Sequence, residues 1–263
     1  MTELLIAEEH DQIYQVWCDR QLRDMAIVHV DFHCDMRGLL VDRARSTAYM
    51  ASRYESTFVD DGNFLSHAIM DGVVSSVRWV HDQHGGRRHD KGCCVNYESD
   101  VIAPLHGLLH RVRGGRKVPL TFEEVLFSDW EGLRPGEYLD IDWDALASAE
   151  YQPSHIQELI DQFLSLPVPV VPKAVFLARS PDYSYGDREM FEVFVVKLAE
   201  KFSASIVRLP EPTTRPADWR PQRSLPWRVV GSIRRRSPKR LVELGYRVLD
   251  RLHTYDTRHD IAK

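Results

Sequence analysis

The segment His29-Val30-Asp31-Phe32-His33-Cys34-Asp35 carries three candidate metal ligands at alternate positions, Asp31, His33 and Asp35. They follow the apolar run Ala26-Ile27-Val28. Alternate residues of an extended chain point the same way, with a repeat of roughly 6–7 Å, so two carboxylates and an imidazole would converge at a strand end. Such a set suits divalent cations. A second cluster, Leu139-Asp140-Ile141-Asp142-Trp143-Asp144, again alternates its aspartates. Several close aspartates cannot all stay ionised unless cations neutralise them. Two ions about 3.5–4 Å apart would share a water and lower its pKa, which gives hydrolytic chemistry without a protein nucleophile. Oxygen-rich ligation with one or two imidazoles suits manganese, with iron, zinc or cobalt also possible. No G-x-S-x-G, P-loop or dinucleotide fingerprint competes with this reading. Taken singly, either cluster also fits a chance pattern, and three alternating aspartates also fit a calcium loop.

The elements that must position these residues are legible as alternating strands and helices. Apolar and β-branched runs predict strands over residues 4–7, 26–30, 93–97, 138–141, 174–177 and 205–209. Helical spacing predicts helices over 11–23, 64–80, 155–164 and 188–202. This alternation implies a three-layer α/β/α domain with a mainly parallel sheet. Ligand sites in such sheets gather at the carboxyl ends of strands. Both acidic clusters fall where a predicted strand runs out. Residues 85–91 and 114–117 read as loops.

The 263 residues are enough for one α/β domain with a buried core. At 43% hydrophobic and 28% charged the chain is globular, and its net charge of −5 argues against a general nucleic-acid binder. No apolar run reaches membrane-spanning length, and the N-terminal residues lack the pattern of a signal peptide. The four cysteines, Cys18, Cys34, Cys93 and Cys94, fit neither a zinc motif nor a disulfide framework, so a reduced, cytoplasmic protein is expected. Residues 1–210 form the expected catalytic domain. Residues 211–263 hold a proline- and arginine-rich stretch and then a basic amphipathic helix over 234–251. That helix either packs on the domain with a solvated basic face or docks an acidic partner.

The two clusters resemble the D-x-H-x-D and D-x-D motifs of the arginase–deacetylase superfamily. His10, after the first strand, matches the first metal-ligand histidine of arginases. The succession EEHDQIYQVW, HVDFHCD, GNFLSHAIMDG, YLDIDWD and LARSPDYSYGD more closely resembles a family that includes bacterial peptide arginases. These convert arginine side chains of ribosomally made peptides to ornithine and release urea. The resemblance spans about residues 4–202 and implies two ions, most simply Mn²⁺. One would be held by His10, Asp31, Asp35 and Asp140, the other by Asp31, His33, Asp140 and Asp142, with Asp31 and Asp140 bridging. It implies that a bridging hydroxide attacks the guanidinium carbon and that Asp35 passes a proton to the departing amine. Asp144 has no counterpart among the usual ligands; it either supports a ligand histidine or caps a helix that begins at Ala145.

Two further residues have two readings each. His67 either shuttles protons, as a histidine does in arginases, or is a satisfied core histidine. Asp182 either binds the substrate guanidinium through paired, charge-assisted hydrogen bonds or is a turn residue beside Pro181. The sequence lacks the Asn- and Ser-rich segment with which arginases grip the main-chain groups of free arginine. An arginyl residue in a peptide therefore fits better as substrate. The competing functions are a metal-dependent amidohydrolase or deacetylase on the same scaffold, and a non-catalytic metal-binding protein.

Overall fold

The computed structural model describes residues 2–51, 59–82, 95–97, 116–149, 151–185 and 188–210. The chain enters on β1 (Thr2–Ala7) and α1 (His10–Asp19), followed by β2 (Met25–Val30), β3 (Leu39–Asp42) and β4 (Thr47–Met50). Next come α2 (Phe64–Met70), β5 (Val74–His81), β6 (Asn96–Tyr97), β7 (Val118–Pro119), β8 (Thr121–Leu126) and β9 (Tyr138–Asp142). A short α3 (Asp144–Ala147), α4 (Pro153–Ser165), β10 (Val175–Ala178), α5 (Arg188–Phe202) and β11 (Ala204–Arg208) complete the described chain.

Seven strands form the main sheet in the order β11-β1-β10-β9-β2-β5-β8, and every neighbouring pair is parallel. A parallel sheet needs cover on both faces. The central strands are accordingly apolar on both. One face, with Leu5, Ile27, Val77 and Phe176, packs under Ile13, Tyr14 and Trp17 of α1 and Phe64, Leu65 and Ala68 of α2. The other, with Leu4, Val28, Leu139 and Val175, packs under Leu146 of α3, Ile156 and Phe163 of α4, and Phe194 and Leu198 of α5. The three-layer α/β/α arrangement expected from the sequence is thus present.

Helix boundaries follow from capping chemistry. The side-chain carbonyl of Gln12 accepts from the backbone N–H of Glu8 and of Glu9, 3.0 Å each, which fixes His10 at the first turn of α1. Helix α1 ends earlier than its periodicity suggests. Gln21 takes φ +55°, Leu22 N–H donates to Trp17 O and Gln21 N–H to Cys18 O, a Schellman ending without glycine. Proline at the first turn opens α4.

One expected element is corrected. The helix expected over 64–80 is two elements, α2 and β5. Gly72, at φ +73°, closes α2, with Val73 N–H donating to Ala68 O and Gly72 N–H to Ile69 O. The spacing of Val73, Val77 and Val80 fits a helix face, but β5 is buried on both sides over most of its length and carries no alternation to set it apart. Three features were absent from the sequence reading. They are β5 in the sheet interior, the edge strand β8, and a second, four-stranded sheet of order β6-β3-β4-β7. Of the strand expected over 93–97, residues 95–97 are described and Asn96–Tyr97 form β6. Residues 85–91 and the whole of 211–263, with the expected basic helix, lie outside the described residues. Among the described residues no helix is long and apolar enough to cross a membrane.

Candidate metal centre

The strand order places a switch at the middle of the sheet. From β2 the chain moves to β5 on one side; from β9, its neighbour, it moves to β10 on the other. Crevices at carboxyl ends beside such a reversal are the usual ligand sites of open α/β sheets. Here β2 delivers His29, Asp31, His33 and Asp35, β9 delivers Asp140, Asp142 and Asp144, and β1 delivers His10.

Strand register sets the floor of the site. His29 and Asp140 are direct partners across the β2–β9 pairing, so their side chains share a face. Asp142, two residues on from Asp140, partners Ala178 of β10. Beyond β2 the chain is not extended. His33 N–H donates to Asp31 Oδ1 at 2.7 Å, an Asx turn, and Asp35 takes φ +49°. The expected pleat past Asp31 is therefore a turn. It aims Asp31 and Asp35 at His10 and sends His33 to the more open side. His33 is 27% exposed at its side chain, while those of His10, His29, Asp31, Asp35, Asp140, Asp142 and Asp144 are at most 7%. Cys34 is buried in the apolar core.

Three carboxylate oxygens surround Nδ1 of His10: Asp142 Oδ2 at 3.2 Å, Asp35 Oδ2 at 3.3 Å and Asp31 Oδ2 at 3.4 Å. These four residues bring one ligand atom each within 4.8 Å of one another. A second group joins Asp31, His33 and Asp144, with His33 Nδ1 3.0 Å from Asp144 Oδ2. A third joins His10, His29 and Asp31. Asp31 belongs to all three.

This grouping departs from the ligand sets that the resemblance implies. Asp142, not Asp140, closes the group around His10, and Asp144, not Asp140 or Asp142, closes the group around His33. Asp140 stands one pleat deeper, and imidazoles occupy both its oxygens: His10 Nε2 at 3.1 Å from Oδ1 and His29 Nδ1 at 2.8 Å from Oδ2. The reason is register. Asp140 pairs with His29 inside the sheet, whereas Asp142 is the last residue of β9 and Asp144 lies past it, at the crevice. Asp144 does not cap a helix that begins at Ala145: the helix begins at Asp144 itself, with Trp143 at the cap position, and the buried Asp144 carboxylate faces His33.

Charge and burial act strongly here. Burial alone would lower the pKa of His10, but Asp140 and the hydrogen-bonding carboxylates Asp142 and Asp31 outweigh it and raise it well above the ordinary value. For His29 burial likewise opposes and the carboxylates prevail, Asp31 foremost, to about 10. Asp31 is held well below the carboxylate range, against burial, by the two histidines. Burial and the Asp31 charge push Asp35 up to about 8. Burial, then Asp142 and Asp31, raise Asp144 well above its ordinary value. Such clustering of perturbed groups in one cleft is typical of functional sites.

The donor set fits divalent cations. His10 Nδ1, His29 Nε2 and Asp31 Oδ2 are buried and no well-aligned hydrogen bond satisfies them; they meet only as ion-pair contacts, 3.4 Å from His10 Nδ1 and 3.1 Å from His29 Nε2 to Asp31 Oδ2. Buried polar atoms left in that state are costly. A cation between His10 Nδ1 and Asp31 Oδ2 would satisfy both, and a mixed oxygen and imidazole set suits manganese-like ions. Buried His/Asp groups that could bind metal ions are therefore present.

Ser180, missed in the sequence, donates through Oγ to Asp142 Oδ2 at 2.6 Å. His29 was missed although it stands two residues before Asp31; carrying the alternation one step back would have found it. His67 is buried on α2 and belongs to none of the ligand groups. The ring of Phe64, one turn earlier, lies 4.5 Å from that of His10. Asp182 is exposed in the loop after β10. Its neighbour Tyr183, 49% exposed, places its ring 5.7 Å from that of His33, which brings this loop to the open side of the cluster. The loop is held to α3: Tyr185 N–H donates to Ala147 O and Ala149 N–H to Tyr183 O. No family model matches the chain, and no curated protein matches it.

Proposed function

We propose that this chain is a binuclear metal-dependent hydrolase that acts on the guanidinium of arginine residues in a peptide. The products are ornithine and urea. The observation that carries the reading is the pair of ligand groups sharing Asp31 at the switch point of a parallel sheet. The resemblance of the His10, HVDFHCD and LDIDWD segments to the arginase–deacetylase superfamily supports it. One ion would be held by His10, Asp31, Asp35 and Asp142, the other by Asp31, His33 and Asp144. Two divalent ions, most simply Mn²⁺, would supply Lewis acidity and an acidified water.

The remaining roles fall to side chains. Asp35 belongs to the ligand group and stands beside the place of the acidified water, from which it would pass a proton on to the departing amine. Asp182, beside Tyr183 on the open side, would receive the guanidinium as a carboxylate facing a planar cation. His67 would serve as a proton carrier only if substrate binding brings it toward the cluster. The exposed Tyr183 and Tyr185 offer flat surface to a peptide flanking the arginine. The balance is simple: a guanidinium and water give an ammonium and urea, with charge conserved.

The test is to load purified protein with Mn²⁺ and add an arginine-containing peptide. The expected result is a mass loss of one CH₂N₂ unit per arginine, urea in the supernatant, and neither with Asp31→Asn. Acetate release from acetylated amines with arginine untouched would assign the site to a deacetylase or other amidohydrolase instead. Full metal loading with no turnover of either substrate would make the chain a metal-binding protein without this activity.

A further inference from the structure

We propose that Asp140 and His29 are a positioning pair that fixes the ring of His10, rather than ligands of either ion. The inference rests on the two-ion reading above and goes beyond it, since it moves Asp140 from bridge to support. Asp140 has two oxygens, and each is taken by a different imidazole: Oδ1 by His10 Nε2 at 3.1 Å and Oδ2 by His29 Nδ1 at 2.8 Å. All three side chains are wholly buried. A carboxylate accepts but cannot donate, so both contacts require N–H on the imidazole side. Nε2 of His10 thus carries hydrogen, and when an ion is bound the lone pair of the ring belongs to Nδ1. That is the atom around which Asp31, Asp35 and Asp142 gather at 3.2–3.4 Å. A carboxylate behind a ligand histidine selects the tautomer, orients the ring and raises its basicity.

His29 completes the arrangement. Its register partner is Asp140, so the sheet itself brings the two together. The hydrogen bond to Oδ2 stops the carboxylate from rotating toward the crevice. The ring of Phe64 lies 4.5 Å from that of His10 and 6.1 Å from that of His29, which excludes other ring poses on the helix side. Nε2 of His29 lies 3.1 Å from Asp31 Oδ2 and closes the circuit to the shared ligand.

The experiment measures Mn²⁺ binding by calorimetry and native mass spectrometry for the wild type, Asp140→Asn, His29→Gln and the double variant, with circular dichroism as a check on folding. As a positioning pair, each single variant still takes up two ions at saturation but binds them about 10–100-fold more weakly. The double variant is then little worse than either single, because the two act on one target. A drop to one ion or none in Asp140→Asn, with folding intact, would make Asp140 a bridging ligand and overturn the proposal. So would unchanged affinity. Should a variant fail to fold, the wild type decides. Nitrogen-15 spectra of the zinc-loaded protein are expected to show His10 with hydrogen on Nε2 and metal at Nδ1; the reverse tautomer overturns the proposal. A wild type that binds no ion at all removes the two-ion reading and this inference together, whereas two ions with indifferent variants remove only the inference.

Discussion

At the scale of the residue, the site is defined by which atoms lack partners. His10 Nδ1 and Asp31 Oδ2 are buried with no well-aligned hydrogen bond, 3.4 Å apart in a space walled by carboxylates. The ionisation of these groups gives metal binding a pH dependence. Without an ion, His10 keeps its proton well above the ordinary range, and Asp35 keeps its own up to about 8. An ion at this group must displace both protons, so affinity rises with pH. We expect the apparent Mn²⁺ dissociation constant to fall by roughly tenfold or more per pH unit between about pH 6 and about pH 8. Titration calorimetry in buffers of different ionisation enthalpy would count the released protons. A constant affinity across that range would separate these two residues from the ion. Asp31, Asp35 and His33 were legible because ligand chemistry restricts the residue types. Asp140 and Asp144 were assigned less well, because three alternating aspartates leave the sequence unable to say which of them stand at or beyond the end of the strand.

At the scale of the element, helix ends set where ligands begin. Gln12 caps α1 so that His10 occupies its first turn, and Schellman endings close α1 and α2. The first of these places Gln21 in the left-handed region at φ +55°, where a side chain costs energy and glycine does not. Gln21 is exposed and lies past the end of α1 opposite to His10. Gln21→Gly is expected to raise the unfolding free energy by about 0.5–1 kcal/mol, read from urea melts, with Mn²⁺ affinity unchanged. A loss of stability would mean that this ending is not strained. Helix α5 was legible to the residue, since Phe191, Phe194, Val195, Leu198 and Phe202 form one stripe. Strand β5 was not. Buried on both faces, it shows no alternation, and its valines at three- and four-residue spacing imitate a helix; only Gly72 marks the boundary. Strand β8 was hidden by Glu123 and Glu124, tolerated because it is an edge.

At the scale of the whole molecule, one sheet explains why residues over 130 positions apart meet. Parallel order β1-β10-β9-β2 brings the ends of β1, β9 and β2 to one rim, and the reversal between β2 and β9 opens the crevice there. The class of fold was legible from the alternation of strands and helices. The order of strands was not, because no local pattern encodes which strand lies beside which. The pairing of His29 with Asp140 depends on that order and on the register of the two strands. The account stands on the claim that this rim holds two ions. Native mass spectrometry of the protein after reconstitution with Mn²⁺ tests it most directly. The expected spectrum is a single folded species carrying two ions per chain, reduced to fewer in Asp31→Asn. A wild type that takes up one ion or none under saturating Mn²⁺ would contradict it.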